Sequence, residues 1–160
     1  MIKKGSHLIV TVFGVGHMPF APGTFGSLVG LFLGASLIFL TGATVPPLFR
    51  MILLISVLSM ITVPLYLKTH PKKKDPPEVV IDEVLGQLIA LLPCGMNLNY
   101  MMLSFILFRI FDIWKPWPVS WADRLGGSLL KNAIGLLLDD VLAGLLAAGV
   151  LLGLQAFAYY

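Results

Sequence analysis

The sequence predicts an all-α fold: a polytopic helical membrane protein, arranged as a compact bundle with a broken helical hairpin and a cytoplasmic-side polar site. Three observations carry that expectation. The 160 residues are 58% hydrophobic and 12% charged, with a mean hydropathy of +0.92, whereas soluble domains carry about 25% charged residues. The uncharged residues fall into runs close to the ~20 that a membrane-crossing helix needs. The charges gather at the ends of those runs. Residues 1–160 suit a single membrane-embedded domain.

Taken in order, Lys3 and Lys4 precede the short apolar stretch "HLIVTVFGVG". That stretch resembles a signal peptide only faintly. The following "MPFAPGTFG" has no small-x-small ending at the right place, so the segment reads as part of the mature chain. Residues 28–45 and 51–67 are the first two spans, and residues 141–158 the last, with Gln155 its one strongly polar side chain. Residues 84–108 are interrupted by "PCGMNLN" at 93–99, which is turn chemistry. They read as two short helices in a hairpin, either tilted spans or a re-entrant pair.

The basic residues support the hairpin. If residues 84–108 go in and return, Lys3, Lys4, Lys68, Lys72, Lys73, Lys74, Arg109, Lys115, Arg124 and Lys131 share one side. Arg50 alone lies opposite. A single crossing would leave the two sides nearly equal, against the cytoplasmic bias of Lys and Arg. The net charge of +3 is therefore topological, and with no aromatic-basic strand it does not indicate nucleic acid. Cys94 is the sole cysteine, which excludes disulfides and multi-cysteine metal sites.

This topology sends all eight acids (Asp75, Glu78, Asp82, Glu83, Asp112, Asp123, Asp139 and Asp140) to the cytoplasmic side. Five of them, Asp82, Glu83, Asp112, Asp139 and Asp140, abut apolar runs. A carboxylate at the centre of a membrane helix costs roughly 2.5–3.5 kcal/mol. Asp139 and Asp140 precede about 27 Å of uncharged helix at 1.5 Å per residue, which places them near the interface. On a helix starting near Pro77, Glu78 and Asp82 lie four apart on one face, with Glu83 beside them. Arg109, Asp112 and Lys115 are three apart in "FRIFDIWKPWP", and Pro116 ends that helix. Oxygen ligands from several helices suit a hard divalent cation such as Mg²⁺, with Glu78, Asp82, Glu83, Asp112, Asp139 and Asp140 as its expected ligands. Helix-dipole caps and simple ion pairs are the plainer alternative for any single acid.

A second candidate site lies in "FGVGHMPFAPGTFGSLVG". It lacks the third glycine and the βαβ setting of a dinucleotide fingerprint. Thr24 or Ser27 can cap the first span, and Gly23 and Gly26 let backbone amides approach an anion. Lys115 and Arg124 add cationic donors for phosphate oxygens. His17 reads as a loop or packing residue.

Several chemistries are absent. Tyr100 stands where a cysteine-phosphatase loop headed by Cys94 needs arginine. There is no Gly-x-Ser-x-Gly elbow, Walker lysine loop or His-Glu-x-x-His. Neither the Pro-Ser-Gly-His pattern of lipid acid phosphatases nor the acid spacing of a CDP-alcohol phosphotransferase occurs. Carboxylates, metal and water remain. A small cation-coupled transporter or channel subunit is the rival, with the acids as its ion site, although acids confined to one rim make a poor path across a bilayer.

Four blocks, "GVGHMPFAPGTFGSLVG", "DPPEVVIDEVLGQLIAL", "FRIFDIWKPWPV" and "LLLDDVLAG", together resemble the bacterial phosphatidylglycerophosphatase A family. They occur in family order across residues 14–144. The resemblance implies an inner-membrane, Mg²⁺-dependent enzyme that hydrolyses phosphatidylglycerophosphate to phosphatidylglycerol and phosphate. It implies a phospholipid substrate in the bilayer, names no protein partner and leaves the oligomeric state open. By position, Glu78, Asp82 and Glu83 match the family's Glu-x-x-x-Asp-Glu. Asp112 and Lys115 match its Phe-Asp-x-x-Lys-Pro, Asp139 and Asp140 its Asp-Asp, and Thr24 its Ala-Pro-Gly-Thr. One departure is "KNAIGLLLDD", where the family has a glycine-rich run before the paired acids.

Overall fold

A computed structural model describes residues 2–70 and 76–158, with side chains from residue 5 onward. Lys72, Lys73, Lys74 and Asp75 of the expected cytoplasmic rim lie outside the described residues, as do the side chains of Lys3 and Lys4. The described chain is helical, in the order α1 (Ile2–Val10), α2 (Pro22–Thr41), α3 (Val45–Thr69), α4 (Ile81–Ala90), α5 (Leu98–Trp114), α6 (Val119–Asp123) and α7 (Leu129–Ala158). α2, α3 and α7 are long and apolar enough to cross a membrane.

The spans extend beyond the uncharged runs that announced them. α2 begins at Pro22, a residue pre-set for the first helical turn, and stops at Thr41, where Gly42 adopts φ 66°. Val45 therefore opens α3 rather than closing α2. α7 starts twelve residues before the run at 141–158, so Asp139 and Asp140 lie within the helix and one turn follows another through them. α1, which the sequence left without a helix, packs against α3.

The hairpin is formed by α4 and α5. Asn97 caps α5, its side chain accepting from the amides of Asn99 and Tyr100. Leu91 and Cys94 at the tip cluster with Ile38 and Leu48, which flank the α2–α3 turn. Gln155 Nε2 near the end of α7 donates to the Pro93 carbonyl at 2.8 Å. The tip therefore lies level with the far ends of α2 and α7.

α4 is the centre of the bundle: nine of its ten residues are buried. Its neighbours reach it through glycines. A Cβ on Gly30 of α2 would stand 2.9 Å from the Val84 carbonyl oxygen, and one on Gly144 of α7 would stand 2.4 Å from that of Gly86. In lipid, small residues of this kind let helix backbones approach closely, and packing replaces the hydrophobic drive. Outward, the surface is apolar: Leu53, Leu54, Val57 and Met60 of α3 and Leu152 and Phe157 of α7 are exposed. Inward lie Ser59, Thr62, Gln87 and Ser104, with Gln87 Nε2 donating to Ser104 Oγ at 3.1 Å.

Gly144→Leu will force α7 off α4 and lower stability by about 1–3 kcal/mol. Gly149→Leu, with nothing within 4 Å of the added carbon, will not. Thermal unfolding of the two variants in detergent checks this; equal melting temperatures would refute the close-approach account.

Candidate active site

At the end of the bundle where α2, α4 and α7 begin, a cavity of about 260 Å³ opens. α4 supplies Asp82 and Glu83, α5 supplies Arg109 and Asp112, and α7 supplies Asp139 and Asp140; Lys115 and Gly23 complete the polar wall. These residues meet for local reasons. Adjacent acids on a helix diverge by about 100°, yet α4 is surrounded, so both Asp82 and Glu83 meet neighbouring helices. The close crossing of Gly86 and Gly144 holds the Asp140 turn of α7 against α4.

Carboxylate oxygens of Asp82, Glu83 and Asp140 lie within 4.8 Å of one another. Asp82 and Asp140 are each 4% exposed. Glu83 Oε2 and Asp140 Oδ1 are buried without a hydrogen-bond partner, although buried polar atoms are almost always satisfied. Asp112 stands within interaction range of both Glu83 and Asp140. Fully ionised, the five carboxylates of the cavity face two cations, Arg109 and Lys115, which leaves an excess of negative charge. Close oxygens, orphaned lone pairs and excess charge fit a divalent cation, whose oxygen ligands converge at about 2.0–2.6 Å. Asp82, Glu83 and Asp140 are the residues that could hold it.

The two cations are placed by the helix ends. Arg109 Nη1 donates to Asp112 Oδ2 at 2.6 Å and to Ser27 Oγ at 3.3 Å. Lys115 is the C-cap of α5 in a left-handed conformation, φ 46°, which costs a non-glycine residue roughly 1–2 kcal/mol. That bend lets Nζ donate to Asp139 Oδ2 at 2.8 Å and to Asp123 Oδ1. Burial alone would lower its pKa, but the two carboxylates outweigh it and raise the ammonium above its ordinary range. It stays charged at neutral pH.

The remaining sequence candidates are placed elsewhere. The helix expected from near Pro77 begins at Ile81, because the Val80 amide donates to the Val10 carbonyl at 2.9 Å instead of winding into a turn. Glu78 thus shares no helical face with Asp82, and its Oε1 accepts from Tyr66 at 2.9 Å. Neither Thr24 nor Ser27 caps α2: Ala21 is the N-cap without a side-chain bond, and Ser27 Oγ donates to the Gly23 carbonyl. The amides of Thr24 and Phe25 are taken by the Ala21 carbonyl. Gly26 is packed against Val80. Arg124 is exposed and donates to the Ser120 carbonyl at 2.9 Å, while His17 lies beside His7 with ring centroids 5.1 Å apart. Of the expected phosphate-binding group, Gly23 and Lys115 border the cavity. Arg109, absent from the candidates the sequence offers for the site, also borders the cavity; its three-residue spacing from Asp112 is the available signal.

The profile of the family described as phosphatidylglycerophosphatase A matches residues 8–155. The chain is 32% identical to phosphatidylglycerophosphatase A of Escherichia coli over 150 residues, covering 91% of this chain and 80% of that one. It is 34% identical to phosphatidylglycerophosphatase A of Haemophilus influenzae over 152 residues, covering 93% and 88%. A candidate phosphatidylinositol-3-phosphatase of Bacteroides thetaiotaomicron is 35% identical over 147 residues, covering 86% and 85%. No solved structure matches the chain.

Asp140→Asn removes one of the crowded negative charges. Without divalent cations the variant will melt no lower than the wild type. Mg²⁺ at 100 times its dissociation constant will stabilise the wild type by about 2.7 kcal/mol and leave the variant nearly unchanged. Melting curves with and without Mg²⁺ decide; an equal upward shift in both proteins would remove Asp140 from the cation site.

Proposed function

The chain belongs to the phosphatidylglycerophosphatase A family, and from that premise we propose that it is a Mg²⁺-dependent lipid phosphatase. It hydrolyses the terminal phosphomonoester of phosphatidylglycerophosphate, giving phosphatidylglycerol and phosphate. The observation that carries this reading is the convergence of Asp82, Glu83 and Asp140 in one cavity, with Lys115 in its wall.

Asp82, Glu83 and Asp140 hold the metal in this account. When bound, the ion supplies Lewis-acid stabilisation of phosphoryl oxygens and lowers the pKa of water. Lys115 donates to the substrate's phosphate oxygens, held in place by Asp139 and Asp123. Gly23, at the N-terminus of α2, leaves room for the Glu83 carboxylate, whose Oε1 would stand 2.4 Å from an added Cβ. Asp112, oriented by Arg109, accepts the proton of the attacking water as the bond from phosphorus to the glycerol oxygen breaks, and that oxygen takes up a proton from solvent. Phosphoryl transfer needs little beyond such positioning and charge stabilisation. Two further candidates act at one remove: Glu78 through Tyr66 and Ser27 through Arg109.

The Lys and Arg pattern supports a bacterial inner-membrane location with the cavity on the cytoplasmic side. Among the described residues, Arg50 is the basic side chain at the opposite end. The lipid's headgroup then meets the cavity while its chains stay in the bilayer.

Purified protein in mixed micelles will release phosphate from phosphatidylglycerophosphate only with Mg²⁺, and EDTA will stop it. Asp82→Asn will lower the rate by at least about 100-fold while the protein stays folded. Retained turnover in that variant would reject the assignment. Faster release from phosphatidylinositol 3-phosphate would keep the chemistry and replace the substrate.

A further inference from the structure

The polar cavity and a groove on the outer surface have Arg109 in common in their walls. The groove, of about 560 Å³, lies between the first turn of α2 and the last three turns of α5, lined by Phe105, Ile106, Ile110, Ile113 and Trp114, with Thr24 and Arg109 at its inner edge. Its outer wall is open: Ile106 is 49% exposed, Ile110 43% and Trp114 81%. Arg109 belongs to the walls of both the groove and the carboxylate cavity. Gly23, next to Thr24, lies against Glu83 and Arg109 so closely that an added Cβ would stand 2.4 Å from Glu83 Oε1. One wall therefore passes from apolar to cationic to acidic within a few residues.

We propose that this groove seats an acyl chain of the lipid substrate and is the lateral path by which the headgroup reaches the carboxylates. The inference rests on the lipid-phosphatase reading and adds the direction of entry. A phospholipid has the same sequence of chemistry as the wall, an apolar chain leading to anionic phosphate, so its occupant is fixed by complementarity along the whole path. The apolar cavity between α3, α4 and α7, lined by Ser56, Met60, Leu85, Ile134 and Val141, shares no lining residue with the carboxylate cavity. Lipid tails are as apolar as the groove, so seating a chain changes its transfer free energy little. The groove acts by orientation, holding the headgroup in register with the metal ligands.

Ile110→Trp adds bulk to the groove at a residue that does not line the carboxylate cavity. Ile134→Trp fills the rival cavity, and Leu54→Trp, on an exposed face of α3, controls for the added indole. Phosphate release from phosphatidylglycerophosphate in lipid vesicles is measured for all four proteins, together with the Mg²⁺-induced rise in melting temperature. Ile110→Trp is expected to lose about tenfold in kcat/KM, with its Mg²⁺ response intact and the other two variants within twofold of wild type. Wild-type turnover in Ile110→Trp, a loss confined to Ile134→Trp, or an Ile110→Trp defect accompanied by a lost Mg²⁺ response would each overturn the proposal. An inactive wild type with an intact Mg²⁺ response would strike the phosphatase reading instead, and the groove assignment with it.

Discussion

Repulsion among carboxylates gathered in one cavity is the constraint around which the bundle is arranged. Asp82, Glu83 and Asp140 bring oxygens within 4.8 Å of one another at the end of a lipid-embedded structure. Low dielectric strengthens every like-charge contact there, and leaving a buried carboxylate unpaired is costly. Of the five carboxylates of the cavity, Asp112 is paired with Arg109 and Asp139 with Lys115, whose single charge is also shared with Asp123 outside the cavity. What the two cations leave uncompensated is charge of the kind that a divalent cation could neutralise.

The helices hold the acids together by packing rather than by attraction. α4 is enclosed by α2, α3, α5 and α7, and its backbone meets those of α2 and α7 at glycines, where a methyl group would collide with a carbonyl oxygen. Such contacts admit little sliding. A shift of one residue along α7 would rotate Asp140 by about 100° and remove it from Asp82. The deep hairpin serves the same end: its tip is tied to α7 through Gln155 and Pro93, and α5 returns with Arg109, Asp112 and Lys115 at the level of the cavity.

Much of this was legible in the sequence, because membrane burial leaves strong signals. Long uncharged runs announced the three long apolar helices, and "PCGMNLN" announced the break between α4 and α5. The conjunction of the four blocks pointed to the family, and three of the acids in them, Asp82, Glu83 and Asp140, come together in the fold. The misplacements have physical causes that a local pattern does not contain. Glu78 leaves the helical face because the Val80 amide is taken by Val10, seventy residues earlier. Ser27 turns back onto its own helix, and Arg124 onto Ser120. Arg109 reads as half of a surface ion pair until α2 is packed beside it. Uncharged runs also understate helix length, since α7 continues through Asp139 and Asp140 once other helices shield them.

The central claim is that oxygens of Asp82, Glu83 and Asp140 converge on a single cation. Crystals of the protein grown with Mn²⁺ in place of Mg²⁺, measured at the manganese absorption edge, test it most directly. The account predicts an anomalous peak in the cavity, bonded to carboxylate oxygens from both α4 and α7. A cavity without such a peak at saturating Mn²⁺, or a peak bonded to residues outside this trio, would contradict it.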